Sequence, residues 1–212
     1  MEINLKYFNL SNYNFNENNI EYYSIIDNYK LDDFCQIFYE KNNSNPYFIN
    51  KWYAMDSMHK FLYKNLTNKN NYILELGSGL GITYSLLKKY GFNIFSFDFE
   101  FFSCYLSKQT ALKNKITPKI INADWNYSPF KNKFDTILGI DIIYDKINSL
   151  PIYNFINNNL KINGNVYIAN FDNYAYDLLI KNFDNKNFKL STFKSEKDNN
   201  YKINIYEFKK IS

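Results

Sequence analysis

Short apolar runs alternate with longer segments of helical periodicity from about residue 70 to the end of the chain. The short runs predict strands, and the segments whose apolar residues recur every three or four positions predict helices. The predicted strands are 72–76, 93–97, 119–122, 134–140, 165–169, 188–193 and 201–208, and the predicted helices are 80–90, 101–113, 149–160 and 174–182. Alternation of this kind favours a doubly wound α/β fold, in which a mainly parallel sheet is covered by helices on both faces.

The last two predicted strands form a different connection from the others. The charged turn 195–200 between them is too short for a crossover helix, so we expect an antiparallel hairpin at the end of a seven-strand sheet. Before them, Pro151 in the first turn of a helix and Gly164 after its end are typical helix boundaries. We therefore expect Gly164 to close the helix 149–160.

The first 45 residues form a polar, Asn-rich extension that precedes this pattern. Two aromatic-aliphatic stretches, 3–10 and 20–26, are compatible with a hairpin, and 31–39 predicts a short helix. Apolar residues at helical spacing predict a further helix within 51–66. We therefore expect an N-terminal extension over 1–45 and one domain over 46–212.

Composition narrows the classes of function. The chain has no apolar stretch long enough to cross a membrane and no secretion signal at its start, so we expect a cytoplasmic protein. Its net charge is +4 and all of its basic residues are lysine, which argues against a nucleic-acid partner. Two distant cysteines and a single histidine make a zinc site or a Ser/His/Asp hydrolase improbable, and we expect no metal.

The strongest chemical signal is the segment LELGSGLG at 74–81, where the first predicted parallel strand meets a helix. Glycines at such a turn let the backbone bend sharply and let a ligand approach it closely. The pattern is G-x-G-x-G, because Ile82 occupies the last glycine position of the dinucleotide fingerprint. This difference argues against NAD or FAD.

Carboxylates follow the ends of the next strands. Asp98 ends the second one about 20 residues downstream, where a carboxylate can accept hydrogen bonds from a ribose diol, and Glu100 is the alternative. Asp124 follows the third strand beside Trp125, which either covers a purine ring or packs in the core. Asp141 follows the fourth strand at the edge where open parallel sheets bind ligands, although a helix cap would also explain it.

Together these features resemble the class I, seven-strand S-adenosylmethionine (SAM)-dependent methyltransferases, which have a Rossmann-like fold. The shared features are the E-x-G-x-G-x-G motif at 75–81, the strand-end Asp98, the segment ADW at 123–125 and the D-x-x-Y motif at 141–144. The D-x-x-Y motif resembles the family-16 lysine methyltransferases, and PYFINKW at 46–52 is similar to a stretch in their bacterial relatives. Asp56 and Ser57 depart from the small or apolar residues of those relatives.

The resemblance implies a role for each of these side chains. The residues implied to bind SAM are Trp52 (closing the pocket), Glu75 (the ammonium), Gly77, Ser78 and Gly79 (the methionine part), Asp98 (the ribose), and Asp124 with Trp125 (the adenine). The catalytic residues implied to face the methyl acceptor are Asp141 and Tyr144.

The function implied by the resemblance is transfer of a methyl group from SAM to a lysine side-chain amine of a protein substrate. We expect no nucleic acid and no membrane as a partner. Three alternatives stay open: a methyltransferase for a small molecule or another side chain, a SAM-binding interaction module without transfer activity, and a pyridine-nucleotide enzyme.

Overall fold

A computed structural model describes residues 5–183, 187–198 and 201–212. The chain begins with a hairpin of strands β1 (Asn9–Phe15) and β2 (Asn18–Ser24), which pair antiparallel. Helix α1 (Asn28–Asn42) follows, because the Asp27 side chain accepts a hydrogen bond from the Lys30 backbone N–H at its start and Asn43 ends it in the left-handed conformation. The first hairpin strand lies later in the chain than expected, and α1 is longer at both ends than expected.

Seven strands within the described ranges form the central sheet. They are β3 (Tyr72–Leu76), β4 (Asn93–Asp98), β5 (Ile120–Asn122), β6 (Phe134–Ile140), β7 (Leu160–Phe171), β8 (Phe188–Asp198) and β9 (Tyr201–Lys210). The spatial order is β5-β4-β3-β6-β7-β9-β8, and only β9 runs antiparallel to its neighbours. The predicted doubly wound sheet with an antiparallel C-terminal hairpin is confirmed.

Helices cover both faces of the sheet. They are α2 (Met55–Asn65), α3 (Ile82–Lys89), α4 (Phe101–Lys113), α5 (Ser149–Asn159) and α6 (Tyr174–Phe183). Helices α5 and α6 pack against one face, and α2, α3 and α4 pack against the other. The chain leaves β3 toward β4 on one side and resumes at β6 on the other, so the order of the strands reverses between β3 and β6. Ligands bind at this position in open parallel sheets.

The hairpin and α1 form a third layer over α3 and α4. Their buried side chains, including Tyr13, Ile20 and Phe34, pack with Leu86 and Phe102 of those helices. At the edge of β2, the Asn114 side chain accepts a hydrogen bond from the Glu21 backbone N–H (3.1 Å) and donates one to its carbonyl oxygen (2.7 Å). Residues 5–45 are thereby docked against the helices that follow the glycine segment.

The prediction for Gly164 is wrong. Helix α5 ends at Asn159, and β7 begins at once with Leu160, which is fully buried in the core. Gly164 lies inside β7, where a Cβ atom would stand 2.9 Å from the Asp135 backbone oxygen. Close approach of a neighbouring backbone therefore explains this glycine, instead of a helix end.

In the part of the chain that the structure describes, no helix combines the length and the apolar character that a membrane crossing requires.

Candidate active site

The glycine segment forms a loop that is tied to the end of β4. The backbone N–H groups of Gly77 and Ser78 both donate to the Phe97 carbonyl oxygen, at 2.9 and 3.0 Å. Gly77 and Gly79 have φ angles of 75° and 48°, a region that favours glycine. A Cβ atom on Gly79 would meet only the Phe48 carbonyl oxygen, 3.9 Å away, so the loop leaves room for a ligand along its backbone.

Gly81 serves a different purpose from the other two glycines of the motif. It begins α3 with a φ angle of 76°, and a Cβ atom there would stand 2.7 Å from the Ser107 Cα atom of α4. The absence of a side chain therefore allows α3 and α4 to pack closely, which fixes the direction in which α3 leaves the loop.

Asp98 supports the glycine loop through a hydrogen bond to its backbone. Its Oδ2 atom accepts hydrogen bonds from the Gly79 backbone N–H (3.1 Å) and the Ser103 hydroxyl (2.6 Å), and its Oδ1 atom accepts from the Glu100 backbone N–H (3.1 Å). Burial raises the pKa of Asp98, and these donors oppose that shift because they stabilise the charged form. Glu100, the alternative, is half-buried, and its carboxylate accepts from the Phe102 backbone N–H at the start of α4.

Glu75 lies almost fully buried beneath the glycine loop. Its Oε2 atom accepts a hydrogen bond from the Ser96 hydroxyl (2.8 Å), and its carboxyl group also bonds the Thr83 hydroxyl. Burial raises the pKa of Glu75 to about 8, and the negative charge of Asp98 adds to the shift. At neutral pH the carboxyl group of the chain alone therefore holds its proton, and a nearby cation would favour its ionised form.

Asp141 is fully buried directly after β6. Its backbone has a φ angle of 49°, and its two carboxylate oxygens accept from backbone N–H groups of Ala54 (2.7 Å) and Phe171 (3.1 Å). Burial raises the pKa of Asp141 to about 6, although both donors favour the charged form. The side chain thus holds the start of α2 and the end of β7 against the sheet edge. Neither the expected role at the methyl acceptor nor the alternative role as a helix cap includes these two contacts.

Three half-exposed aromatic rings cover this edge and are here named the aromatic cluster: Tyr47, Trp52 and Tyr144. The ring centroid of Tyr144 lies 5.1 Å from that of Tyr47 and 5.1 Å from that of Trp52. Burial and the charges of Asp98 and Asp141 raise the pKa of the Tyr144 phenol, so it stays protonated at neutral pH. Beside the cluster, Tyr53 and Tyr201 stack with centroids 3.7 Å apart.

A cavity of about 50 Å³ lies between the glycine loop and the segment 50–55, which carries Trp52 of the aromatic cluster. Five of the predicted cofactor residues line it: Trp52, Glu75, Gly77, Ser78 and Gly79. Pockets for small molecules usually enclose roughly 300–1,000 Å³. This cavity is therefore smaller than a nucleoside-sized ligand. A larger cavity, of about 330 Å³, lies under the hairpin tip and contains none of the predicted site residues.

Asp124 and Trp125 lie apart from the smaller cavity beside the glycine loop. The Asp124 carboxylate accepts hydrogen bonds from the backbone and side-chain N–H groups of Asn126, at 2.8 and 2.9 Å. Trp125 is half-buried, with its ring centroid 6.3 Å from that of Phe99, and it borders a separate groove of about 240 Å³ along α5. The backbone N–H of Ala123 donates to the Asp98 carbonyl oxygen (3.0 Å), which ties this segment to the end of β4.

Sequence reasoning missed several residues that contact the predicted ones, namely Tyr47, Thr83, Ser96 and Ser103. Ser103 and Thr83 each lie in the first turn of the helix that follows a predicted site residue, which is a signal that could have found them. The departures at Asp56 and Ser57 also have structural partners. Asp56 pairs with Lys51 (3.0 Å) and accepts a hydrogen bond from Tyr13, and Ser57 bonds Glu196 of β8.

The geometry agrees with the comparisons to known proteins. A family described as lysine methyltransferase matches residues 38–182. The chain belongs to this family. No curated protein matches the sequence. The family match and the fold confirm the class I, SAM-dependent methyltransferase expected from the sequence, with SAM as its cofactor.

Solved structures from several methyltransferases share the Rossmann-like fold. Magnesium protoporphyrin IX methyltransferase from Synechocystis PCC 6803, solved with bound SAM, is 15% identical with a TM-score of 0.62 over 73% of this chain and 77% of that one. The ribosomal protein L11 methylase of Lactobacillus delbrueckii subsp. bulgaricus is 14% identical (TM-score 0.63, 75% and 79%). The N-methyltransferase NodS of Bradyrhizobium japonicum WM9 is 12% identical (TM-score 0.59, 75% and 97%).

Proposed function

We propose that this methyltransferase modifies a lysine side-chain amine of a protein substrate. The observation that carries the proposal is the aromatic cluster, in which Tyr144 lies 5.1 Å from both Tyr47 and Trp52, and Trp52 also lines the cavity at the glycine loop. Aromatic faces attract cationic amines, and the same rings exclude water, which disfavours the charged form of an amine once it is buried. The family match supports the same class of acceptor.

Several residues in and near the cavity carry groups suited to parts of the cofactor. We propose that Gly77, Ser78 and Gly79 hold its methionine part, because the loop backbone is open at Gly79. Glu75, buried at the base of the loop, would face the ammonium. Asp98 would bind the ribose with the same carboxylate that supports Gly79.

The remaining predicted contacts would form the rim of the pocket. We propose that Asp124 and Trp125 hold the adenine, since their segment is tied by Ala123 to the end of β4 beside Asp98. Trp52 would close the pocket over the bound cofactor.

The chain's own contribution to the reaction is alignment and exclusion of water. Bound SAM supplies a methyl group on a positively charged sulfur. A lysine amine with an ordinary pKa near ~10.4 must lose a proton before it can attack this carbon. Tyr144 would accept a hydrogen bond from the amine, and Asp141 would act by holding the backbone at Ala54 and Phe171, beside the rings of Tyr53 and Phe171.

The relatives also support an acceptor of another kind. One solved relative is named for a porphyrin substrate and another for a ribosomal protein, so the same fold serves both small and macromolecular acceptors. A SAM-binding module without transfer activity is the third reading. The experiment below separates all three.

The test begins with calorimetric titration of the chain with SAM, S-adenosylhomocysteine and NAD. We expect binding of the two adenosyl ligands only, and a loss of about 100-fold or more in Asp98→Ala, because a buried carboxylate that bonds the ribose is removed. Asp145→Ala is the matched control, since Asp145 is an exposed carboxylate whose side chain, among the described residues, bonds the nearby Ile147 backbone N–H.

Acceptor identity is then tested with tritiated-methyl SAM and a cell extract separated by size. Label in acid-stable methyl-lysine of a protein fraction supports the proposal. Label in small molecules or in another amino acid contradicts the lysine acceptor, and binding without any label supports the interaction module.

A further inference from the structure

A line of buried polar side chains connects the N-terminal hairpin to the base of the cofactor pocket. The Tyr13 hydroxyl lies 2.8 Å from His59 Nδ1, and His59 Nε2 lies 2.9 Å from the Thr83 hydroxyl. The Thr83 hydroxyl bonds the Glu75 carboxyl group, and at the other end the Tyr13 hydroxyl bonds the Asp56 carboxylate. His59 is 2% exposed and Glu75 3%, whereas the Asp56 side chain is 32% exposed.

Each group between Glu75 and Asp56 can act as a hydrogen-bond donor or as an acceptor, so the whole line can run in either direction. Hydroxyl groups both donate and accept, and a neutral imidazole donates from one nitrogen and accepts at the other. Burial lowers the pKa of His59 to about 3, so the ring is neutral and carries one N–H. The charged neighbours of His59 are Asp56 and Lys51, and that of Glu75 is Asp98, whereas the titratable Tyr84 phenol near Glu75 is uncharged at neutral pH.

We propose that one hydrogen-bond chain runs from Glu75 through Thr83, His59 and Tyr13 to Asp56. Through this chain the hairpin positions Glu75 toward a cationic group of the cofactor. The donor and acceptor of each hydrogen bond between Glu75 and Tyr13 exchange roles when Glu75 ionises. This inference rests on the proposed role of Glu75 in binding the cofactor ammonium. His59 is a positioning residue in it, since it acts on Glu75 only through Thr83.

In the first direction, Glu75 is protonated. It donates to Thr83, Thr83 donates to His59 Nε2, His59 Nδ1–H donates to Tyr13, and Tyr13 donates to Asp56. Each buried hydroxyl and each ring nitrogen has a partner in this arrangement, which burial requires.

In the second direction, each of these hydrogens has moved one step toward Asp56. Glu75 has lost its proton, Thr83 donates to Glu75, His59 Nε2–H donates to Thr83, and Tyr13 donates to His59 Nδ1. One proton has left Glu75 and one has passed from Asp56 to solvent, so the balance is the release of a single proton. Asp56 gives up its Tyr13 donor and keeps its ion pair with Lys51 (3.0 Å).

The test compares two ligands that differ in the group that Glu75 would face. S-adenosylhomocysteine carries the ammonium, and 5′-methylthioadenosine lacks the whole amino-acid part. In Thr83→Val we expect the affinity for S-adenosylhomocysteine to fall about tenfold and that for 5′-methylthioadenosine to stay within about twofold. Thr83→Ser, which keeps the hydroxyl, should restore binding of both ligands.

Tyr13→Phe decides whether the chain reaches the hairpin, because Tyr13 is three hydrogen bonds away from Glu75. We expect a selective loss of about threefold to fivefold for S-adenosylhomocysteine. The matched control is Tyr90→Phe, which removes another hydroxyl between α3 and the hairpin, 3.4 Å from the Phe15 carbonyl oxygen, and should leave the ratio of the two affinities unchanged.

Equal weakening of both ligands in Tyr13→Phe would overturn the proposal, because it would indicate a purely structural role, and so would no change for either ligand. A second readout is the number of protons released on binding, measured by calorimetry at pH 7 in buffers of different ionisation enthalpy. We expect about one proton for S-adenosylhomocysteine and none for 5′-methylthioadenosine, and equal numbers would contradict the role of Glu75. If the unmodified chain bound neither ligand, the proposed function itself would fail.

Discussion

Glu75 and Asp141 lie on neighbouring strands at the same edge of the sheet, and both are buried, but their hydrogen-bond partners differ. Glu75 bonds two hydroxyl groups, from Ser96 and Thr83, whereas Asp141 bonds two backbone N–H groups. A hydroxyl group can donate or accept, so Glu75 keeps its partners with or without its proton. A backbone N–H can only donate, so Asp141 keeps both partners best as an anion.

Because their hydrogen-bond partners differ, the two carboxyl groups are suited to different roles. A carboxyl group among hydroxyls is suited to change its charge when a ligand arrives, whereas one between backbone donors is suited to hold two segments together. On this view the glycine side of the edge responds to the cofactor, and the Asp141 side provides a fixed frame for the aromatic rings around it.

The pH dependence of the free energy of unfolding should separate Glu75 from Asp141 most strongly. Glu75 has an ordinary pKa of 4.5 in the unfolded chain and a pKa of about 8 in the folded one. Its contribution to stability is therefore complete below pH 4.5 and is lost as the pH rises to 8, by roughly 4–5 kcal/mol. Glu75→Gln should remove this loss, measured by denaturant unfolding of the ligand-free chain at pH 5 and pH 8.

Asp141 adds a loss of the same sign as the pH rises through its folded pKa of about 6, and this loss remains in Glu75→Gln. The difference between the two proteins therefore isolates Glu75. Identical pH profiles would show that Glu75 is already ionised at pH 7, and the contrast with Asp141 would disappear.

A smaller loss of stability is expected when the hydrogen bonds from Asp141 to Ala54 and Phe171 are removed. Asp141→Ala leaves two buried N–H groups without an acceptor and places alanine at a φ angle of 49°, so we expect a loss of about 3 kcal/mol in the free energy of unfolding. Asp141→Asn keeps one acceptor and tolerates this φ angle, and should lose about 1 kcal/mol. Urea unfolding at pH 7 measures both.

Full stability of Asp141→Ala combined with lost methyl transfer would mean that Asp141 acts on the acceptor and does not serve as a clamp. Asp145→Ala again serves as the control, because an exposed carboxylate in the same segment should change stability by less than about 1 kcal/mol.

The weakest effect is expected at Ser96, which donates a hydrogen bond to Glu75. Ser96→Ala removes the donor to Glu75 Oε2, and we expect a loss of about 1 kcal/mol at pH 8, where Glu75 is partly ionised, and less at pH 5. Ser85→Ala is the matched control, since the buried Ser85 hydroxyl has no hydrogen-bond partner among the described residues. A loss that is equal at both pH values would count against a charge-dependent role for Ser96.

The sequence allowed the sheet, its closing hairpin and the strand-end carboxylates to be predicted, because each depends on local periodicity and on glycines at a turn. Contacts between distant segments were not predictable in this way. The bond between Tyr13 and His59 spans 46 positions and exists only because the hairpin, docked over α3 and α4, brings β1 into contact with α2. Gly164 was misread because a close approach of β6 leaves no trace in the spacing of nearby residues.

The side chain of Asn114 has a consequence for the outer face of the molecule. A two-stranded sheet leaves unpaired backbone groups along both of its edges, and such edges invite pairing with strands of other chains. The amide of Asn114 engages the N–H and the C=O of Glu21 together, as a neighbouring peptide group would. The middle of the β2 edge is thereby occupied within the chain, which protects the hairpin against edge-to-edge aggregation.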